Sequence, residues 1–169
     1  MRGLVRLLDG VIALFPRRAW WFFAVVCVAL IAYSGSRPAS ELPDFGYLPP
    51  HSDKFLHFVA YAGLAACLFR AVFPLVATRP SPWGKLAWAP VILIPSIVGA
   101  VDEAIIQGMA RGRGQDVWDW VADTLAGVTV FAAGVVWRER VRRRDEELRR
   151  RGRSRVRRRH GHSFRQTRQ

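Results

Sequence analysis

The chain has 169 residues, a hydrophobic fraction of 51% and a net charge of +13. A single soluble core does not combine that much apolar surface with that much charge, so the two must be segregated along the chain. They are: long apolar runs fill Ala19 to Trp137, and fifteen arginines with few apolar residues fill the segment from Arg138 onward. That excludes an ordinary soluble domain and gives the layout of an all-α, polytopic membrane protein. Its expected parts are an amphipathic segment over 1–18, a four-helix transmembrane bundle over 19–137, and an Arg-rich tail over 138–169 that is disordered or helical.

Leu4, Leu7, Leu8, Val11, Ile12 and Phe15 recur at helical spacing, with Arg6 and Asp9 on the remaining face. This predicts a short helix lying on the inner membrane surface, ended by Pro16 and the Arg17–Arg18 pair. The first span follows at about 19–36. A cleaved signal peptide is the alternative for this region, disfavoured by the lack of a clean small-x-small site and by the spans that follow. Arg37 to His51, rich in Pro and Gly with Glu41 and Asp44, reads as a loop.

The second span covers 55–73, with Ser52 or Asp53 as N-cap and Arg70 snorkelling near its far end. Pro74 to Lys85 reads as a loop. The third span, about 86–106, contains Pro90 and Pro95, which are expected to kink it or release backbone carbonyls. A Gly/Arg loop from Met109 to Gln115 leads to the fourth span, 117–137, capped by Asp116. Cys27 and Cys67 lie inside apolar runs with no Cys or His at ligand spacing, and read as packing residues.

Four spans with both termini inside leave 22 of the 26 Lys and Arg residues on the inner side. The positive-inside rule therefore places both ends in the cytoplasm, and Trp residues near span ends (Trp20, Trp21, Trp83, Trp88, Trp118, Trp120, Trp137) fit an aromatic belt.

This topology gathers the polar residues of the spans at one outer level. Asp53, Lys54, His57 and Tyr61 open span two; Asp102, Glu103 and Gln107 end span three. Arg111 and Arg113 lie in the loop, and Asp119 and Asp123 open span four. Ionisable groups in a span are costly and usually partnered, so their convergence marks a candidate site. Plain structural roles stand beside that reading. Asp116 is a cap, Asp119 and Asp123 favour a helix N-terminus, and Arg113 can pair with Asp116 or Asp119. His57 can simply hydrogen-bond Glu103 or Asp119 across helices.

Three blocks of residues resemble the VanZ-like family of small membrane proteins, named for a teicoplanin-resistance accessory protein. The first is D-K-x-x-H-F-x-x-Y, carried by Asp53, Lys54, His57, Phe58 and Tyr61. The second is an acidic pair, Gln and Gly-Arg, carried by Asp102, Glu103, Gln107, Gly112 and Arg113. The third is Asp119, Asp123 and Gly127. Together they span about Ser52 to Gly127. The chain departs from the pattern in three places. It has three residues (Ala104, Ile105, Ile106) between the acidic pair and Gln107 where the family has two, so either Asp102 or Glu103 fills the family's acidic position. It has Arg111 in place of a Pro, and its last Gly falls one residue late. The resemblance implies an integral membrane protein, linked in some relatives to glycopeptide resistance, and no particular reaction.

Three functions are compatible with these residues. One is a non-enzymatic envelope protein whose outward site binds a polar headgroup, a cell-wall precursor or a partner protein, with Lys54 and Arg113 meeting anionic groups. A second is a membrane enzyme with His57 and Glu103 as acid and base. No G-x-S-x-G, H-E-x-x-H or P-loop pattern accompanies it. A third is a small oligomeric transporter. One histidine among scattered acids is thin evidence for a metal, and neither a metal nor a cofactor is expected. The basic tail beside Trp137 is expected to hold anionic lipid headgroups rather than nucleic acid.

Overall fold

In a bilayer the backbone has no hydrogen-bonding partner but itself, so each apolar run folds as a helix. The computed structural model describes residues 15–41, 52–77, 88–110 and 114–166. Its long helices are α1 (Arg17–Gly35), α2 (Ser52–Ala77), α3 (Ala89–Val101) and α4 (Val117–Gln166). A π-helical turn, Asp102–Gln107, continues α3, and a 3-10 turn, Ala39–Glu41, follows α1. Four stretches are long and apolar enough to cross a membrane: Arg17–Gly35, Ser52–Phe73, Ala89–Gln107 and Val117–Arg140. The chain is a multi-pass, all-α membrane protein.

Contacts between helix ends define an up-and-down arrangement. Where α1 begins and α2 approaches its end, Arg17 Nε donates to the Ala71 carbonyl (3.0 Å), and the Arg70 guanidinium lies 5.8 Å from the Trp20 ring centre. The same end of the bundle holds an aromatic cluster in which Trp88 stacks on Phe69 (4.8 Å) and meets Phe131 edge-on (6.1 Å). At the opposite end α1 finishes with Gly35 directly against Asp102, the point where α3 gives way to its π-turn. The starts of α2 and α4 lie at that level too, joined by Lys54 and Asp119.

α2 supplies most of the buried core: Leu64, Ala65, Leu68, Ala71 and Val72 are nearly or fully inaccessible, as are Val91 of α3 and Ala126 of α4. Phe22, Val25 and Leu30 of α1, Leu93 and Ile97 of α3, and Leu125 of α4 are exposed, as surfaces that meet lipid tails should be. Small residues let α3 and α4 approach closely. A Cβ on Gly127 would stand 3.0 Å from the Val91 carbonyl oxygen, the same carbonyl that Pro95 deprives of its helical donor. Ser96 then bridges the two helices, its hydroxyl bonded to Thr124 (3.0 Å) and its carbonyl to the Trp120 indole (3.0 Å).

Several sequence expectations change. α2 continues through Pro74 to Ala77 instead of ending before it. A proline in the last turn forfeits only one backbone bond, at an end where carbonyls already lack helical partners. Pro90 does not interrupt span three, because it occupies the first turn of α3, where its missing N–H has no partner to lose. Trp88, at the start of α3, is buried among aromatic rings. Arg70 is placed over Trp20 rather than simply extended toward water. Cys27 and Cys67 are free thiols that face each other between α1 and α2. The N-terminal amphipathic segment up to residue 14, the loops over 42–51 and 78–87, and Arg111, Gly112 and Arg113 lie outside the described residues.

By contacts the chain divides into Met1–Phe131 and Ala132–Gln169. In the second unit the backbone stays helical to Gln166. Glu139 there accepts from Arg142 and Arg143 (both 2.9 Å), and Glu146 accepts from Arg142 (2.7 Å). These are exposed pairs at helical spacing, which favour the helix only weakly.

Candidate functional site

At the bundle end where α1 and α3 finish, the first turns of α2 and α4 face the π-turn after α3. The first residues of α4 set the geometry. Asp116 caps the helix, accepting from the Trp118 N–H (2.8 Å), while its own N–H donates to Glu103 Oε2 (3.2 Å). The cap thereby ties α4 to the π-turn.

Lys54 is the cation of the rim. Its ammonium lies 2.6 Å from Asp116, 2.9 Å from Asp119 and 2.9 Å from Asp53. Three carboxylates engage all three of its donors, so Lys54 is held as a clasp between α2 and α4. This corrects its expected part as a receiver of anionic ligands. It is also the observed partner of Asp116 and Asp119.

One turn deeper, His57 Nδ1 lies 3.1 Å from Oδ1 of Asp123, which is completely buried. That contact replaces the expected hydrogen bond to Glu103 or Asp119. The other ring nitrogen, Nε2, is 3.9 Å from both Glu103 Oε1 and Asp119 Oδ2, beyond hydrogen-bonding reach. Below the imidazole, the Tyr61 ring lies nearly parallel to it, with centres 6.2 Å apart, and its buried hydroxyl has no hydrogen-bond partner among the described residues. Asp123 Oδ2 is likewise buried without one. Asp123 can lie so deep because Gly99 opposes it: a Cβ there would stand 2.5 Å from Oδ2.

The π-turn explains how two adjacent acids both face inward. Asp102, Glu103 and Gln107 are all buried, and the Gln107 amide donates to Asp102 Oδ2 (3.0 Å) and to Glu103 Oε1. An i→i+5 turn is wider than an α-turn and brings residues five apart, here Asp102 and Gln107, onto one face. Gln115 braces the turn by donating to the Ala104 carbonyl (3.0 Å).

Two groups present carboxylate or imidazole atoms within 4.8 Å of one another: His57 with Glu103 and Asp119, and Asp53 with Asp116 and Asp119. The second already surrounds the Lys54 ammonium. Among the described residues the first has no such cation between its members.

No family model matches this chain, and no curated protein or solved structure matches it significantly. The geometry of the site therefore carries the functional reading.

Of the residues singled out from sequence, Lys54, His57, Tyr61, Asp102, Glu103, Gln107, Asp119 and Asp123 are brought together, Asp53 lies at the exposed rim, and Arg113 is outside the described residues. Sequence reasoning paired Asp116 with Arg113 and not with Lys54, put Gly99 on the face of Glu103 and Gln107 without its approach to Asp123, and missed Gln115 and Gly35. Asp116 and Asp119, three apart at a helix start, carried a signal for a shared face. The close approach of Gly99 to Asp123 left no trace in either helix alone.

Proposed function

We propose that this chain is a VanZ-like integral membrane protein of the cell envelope. In this reading it lies in the plasma or inner membrane with both termini cytoplasmic, and its polar site opens outward. The site binds the polar headgroup of an envelope lipid, a cell-wall precursor or a membrane partner. The observation that carries the reading is the graded burial of the site. Asp123 is fully enclosed, His57 is partly exposed, and Asp53 and Asp116 reach the surface, so one polar shaft connects the bundle interior with the water at its end.

The family resemblance rests on motif residues, and the π-turn supports it in one respect. The chain carries one residue more than the family between its acidic pair and Gln107, and an i→i+5 turn absorbs one extra residue while keeping the acids and the amide on the same side. The basic tail serves the orientation by holding anionic headgroups on the cytoplasmic side, at about 1 kcal/mol per arginine near the surface.

Native mass spectrometry of the protein released from its own membrane in mild detergent tests the reading. Wild type should retain a defined headgroup lipid or precursor. His57→Gln and Glu103→Gln should lose at least tenfold of it, and Leu125→Ala, on the lipid-facing surface, should keep it. Equal retention by all four would sink the proposal.

A second reading is favoured by the His57–Asp123 contact, which fixes one imidazole nitrogen and presents the other toward Glu103, as an acid–base pair requires. In that case Glu103→Gln would still retain the ligand but would no longer convert it.

A further inference from the structure

We propose that His57 Nε2, Glu103 Oε1 and Asp119 Oδ2 form a binding site for one divalent transition-metal cation of the zinc or manganese class. The three atoms come from α2, the π-turn and α4, and lie within 4.8 Å of one another around a common gap. His57 Nε2 stands 3.9 Å from each of the two oxygens, too far for a direct hydrogen bond. A cation bonded at about 2.0–2.2 Å to nitrogen and oxygen would draw such atoms to roughly 3.0–3.4 Å from one another. Small rotations of two carboxylate side chains close that difference.

Three independent features distinguish this group from an ordinary acidic cluster. First, Asp123 engages Nδ1 from behind, which orients Nε2 into the gap. A carboxylate behind a ligating histidine is the usual outer-shell partner at metal sites. Second, among the described residues the buried carboxylates outnumber the cations that touch them. Glu103, Asp119 and Asp123 are each less than a tenth exposed, while Lys54 touches only Asp119 among these three. Asp123 Oδ2 in addition has no hydrogen-bond partner. Third, the neighbouring acidic group of Asp53, Asp116 and Asp119 already holds an ammonium at 2.6–2.9 Å, whereas among the described residues no lysine or arginine pairs with Glu103.

One imidazole and two carboxylates suit borderline divalent cations, and the lack of a thiolate donor disfavours copper(I). Three protein ligands leave further coordination positions for an exogenous oxygen. On the headgroup reading above, that is where an anionic headgroup oxygen would bind, which accounts for an anion being attracted to a carboxylate-rich site. This last step rests on that reading, and the metal site does not.

The test uses the full chain in detergent micelles, stripped with a chelator and titrated with Zn²⁺ and, separately, Mn²⁺, without added lipid. Wild type should bind one equivalent by calorimetry and by elemental analysis after desalting. His57→Ala should abolish stoichiometric binding and Glu103→Gln should weaken it at least tenfold, while Leu93→Ala, on the lipid-facing surface, should leave it unchanged. X-ray absorption of the zinc-loaded wild type provides a check that needs no variant: one imidazole and otherwise oxygen donors are expected. Failure of wild type to retain metal, sulfur in the coordination shell, or unchanged binding by a folded His57→Ala would each overturn the site. Because no lipid is present, such a failure would leave the headgroup reading standing.

Discussion

His57 and Asp123, 66 positions apart in the chain, meet through a 3.1 Å contact between Nδ1 and Oδ1 at the centre of the polar site. The contact joins α2 to α4 and leaves the other nitrogen of the ring directed at Glu103 and Asp119. Replacing Asp123 with Ala removes the partner of a largely buried imidazole. We expect a loss of about 1–3 kcal/mol in detergent, read as a lower thermal midpoint. Asp123→Asn, which keeps the shape and a hydrogen-bonding oxygen, should lose less. Equal losses for the two would mean that the contact is not what holds the helices.

Gly99 and Gly63 make a matched pair for testing close approach. A side chain at Gly99 would collide with Asp123, whereas nothing lies within 4 Å of the same position at Gly63. Gly99→Val should destabilise by about 1–3 kcal/mol and disturb the His57–Asp123 contact. Gly63→Ala should stay within about 0.5 kcal/mol of wild type. Thermal unfolding of both, followed by circular dichroism, decides the point.

Lys54 is shared by Asp53, Asp116 and Asp119, so its removal exposes repulsion among them. Lys54→Met should destabilise by about 1–3 kcal/mol. The double variant Lys54→Met with Asp119→Asn should be less impaired than the sum of the singles, because the second change removes one of the stranded charges. A double-mutant cycle with no coupling would show that the clasp contributes nothing.

Gln107 is the common donor to Asp102 and Glu103. Gln107→Ala should lower stability, and adding Glu103→Gln should restore part of the loss by supplying an amide and removing a charge from the adjacent pair. An additive result would indicate that the π-turn holds its two acids apart by backbone geometry alone.

The orientation has its own test. With Cys27 and Cys67 replaced by Ala, a cysteine substituted for Asp116 should react with a membrane-impermeant thiol reagent added to intact cells. Labelling seen only after lysis would reverse the topology.

Much of this architecture was legible in the sequence, for identifiable reasons. Hydropathy and length located the four spans, because in lipid an apolar run long enough to cross has no stable alternative to a helix. Asp116 was readable as a cap because capping is local chemistry between neighbours. Alternating span direction was enough to gather Lys54, His57, Glu103, Asp119 and Asp123 at one end. Local reasoning failed where a residue's role depends on its neighbours in space. Trp88 packs into an aromatic cluster that spacing along the chain does not reveal, and Pro74 was tolerated inside α2.

The pairing within the site was decided by tertiary structure alone. Spacing along α2 puts His57 on a face but does not choose among Glu103, Asp119 and Asp123. That choice depends on how close α3 and α4 can come, and Gly99 and Gly127 set that distance. The Lys54 clasp and the inward turn of both Asp102 and Glu103 follow in the same way, from helix contact and from a π-turn that periodicity does not reveal. Segment identity is encoded locally, because each span must satisfy its own backbone. Partner identity is not, because a buried charge is matched only by whichever group the assembled bundle brings within reach.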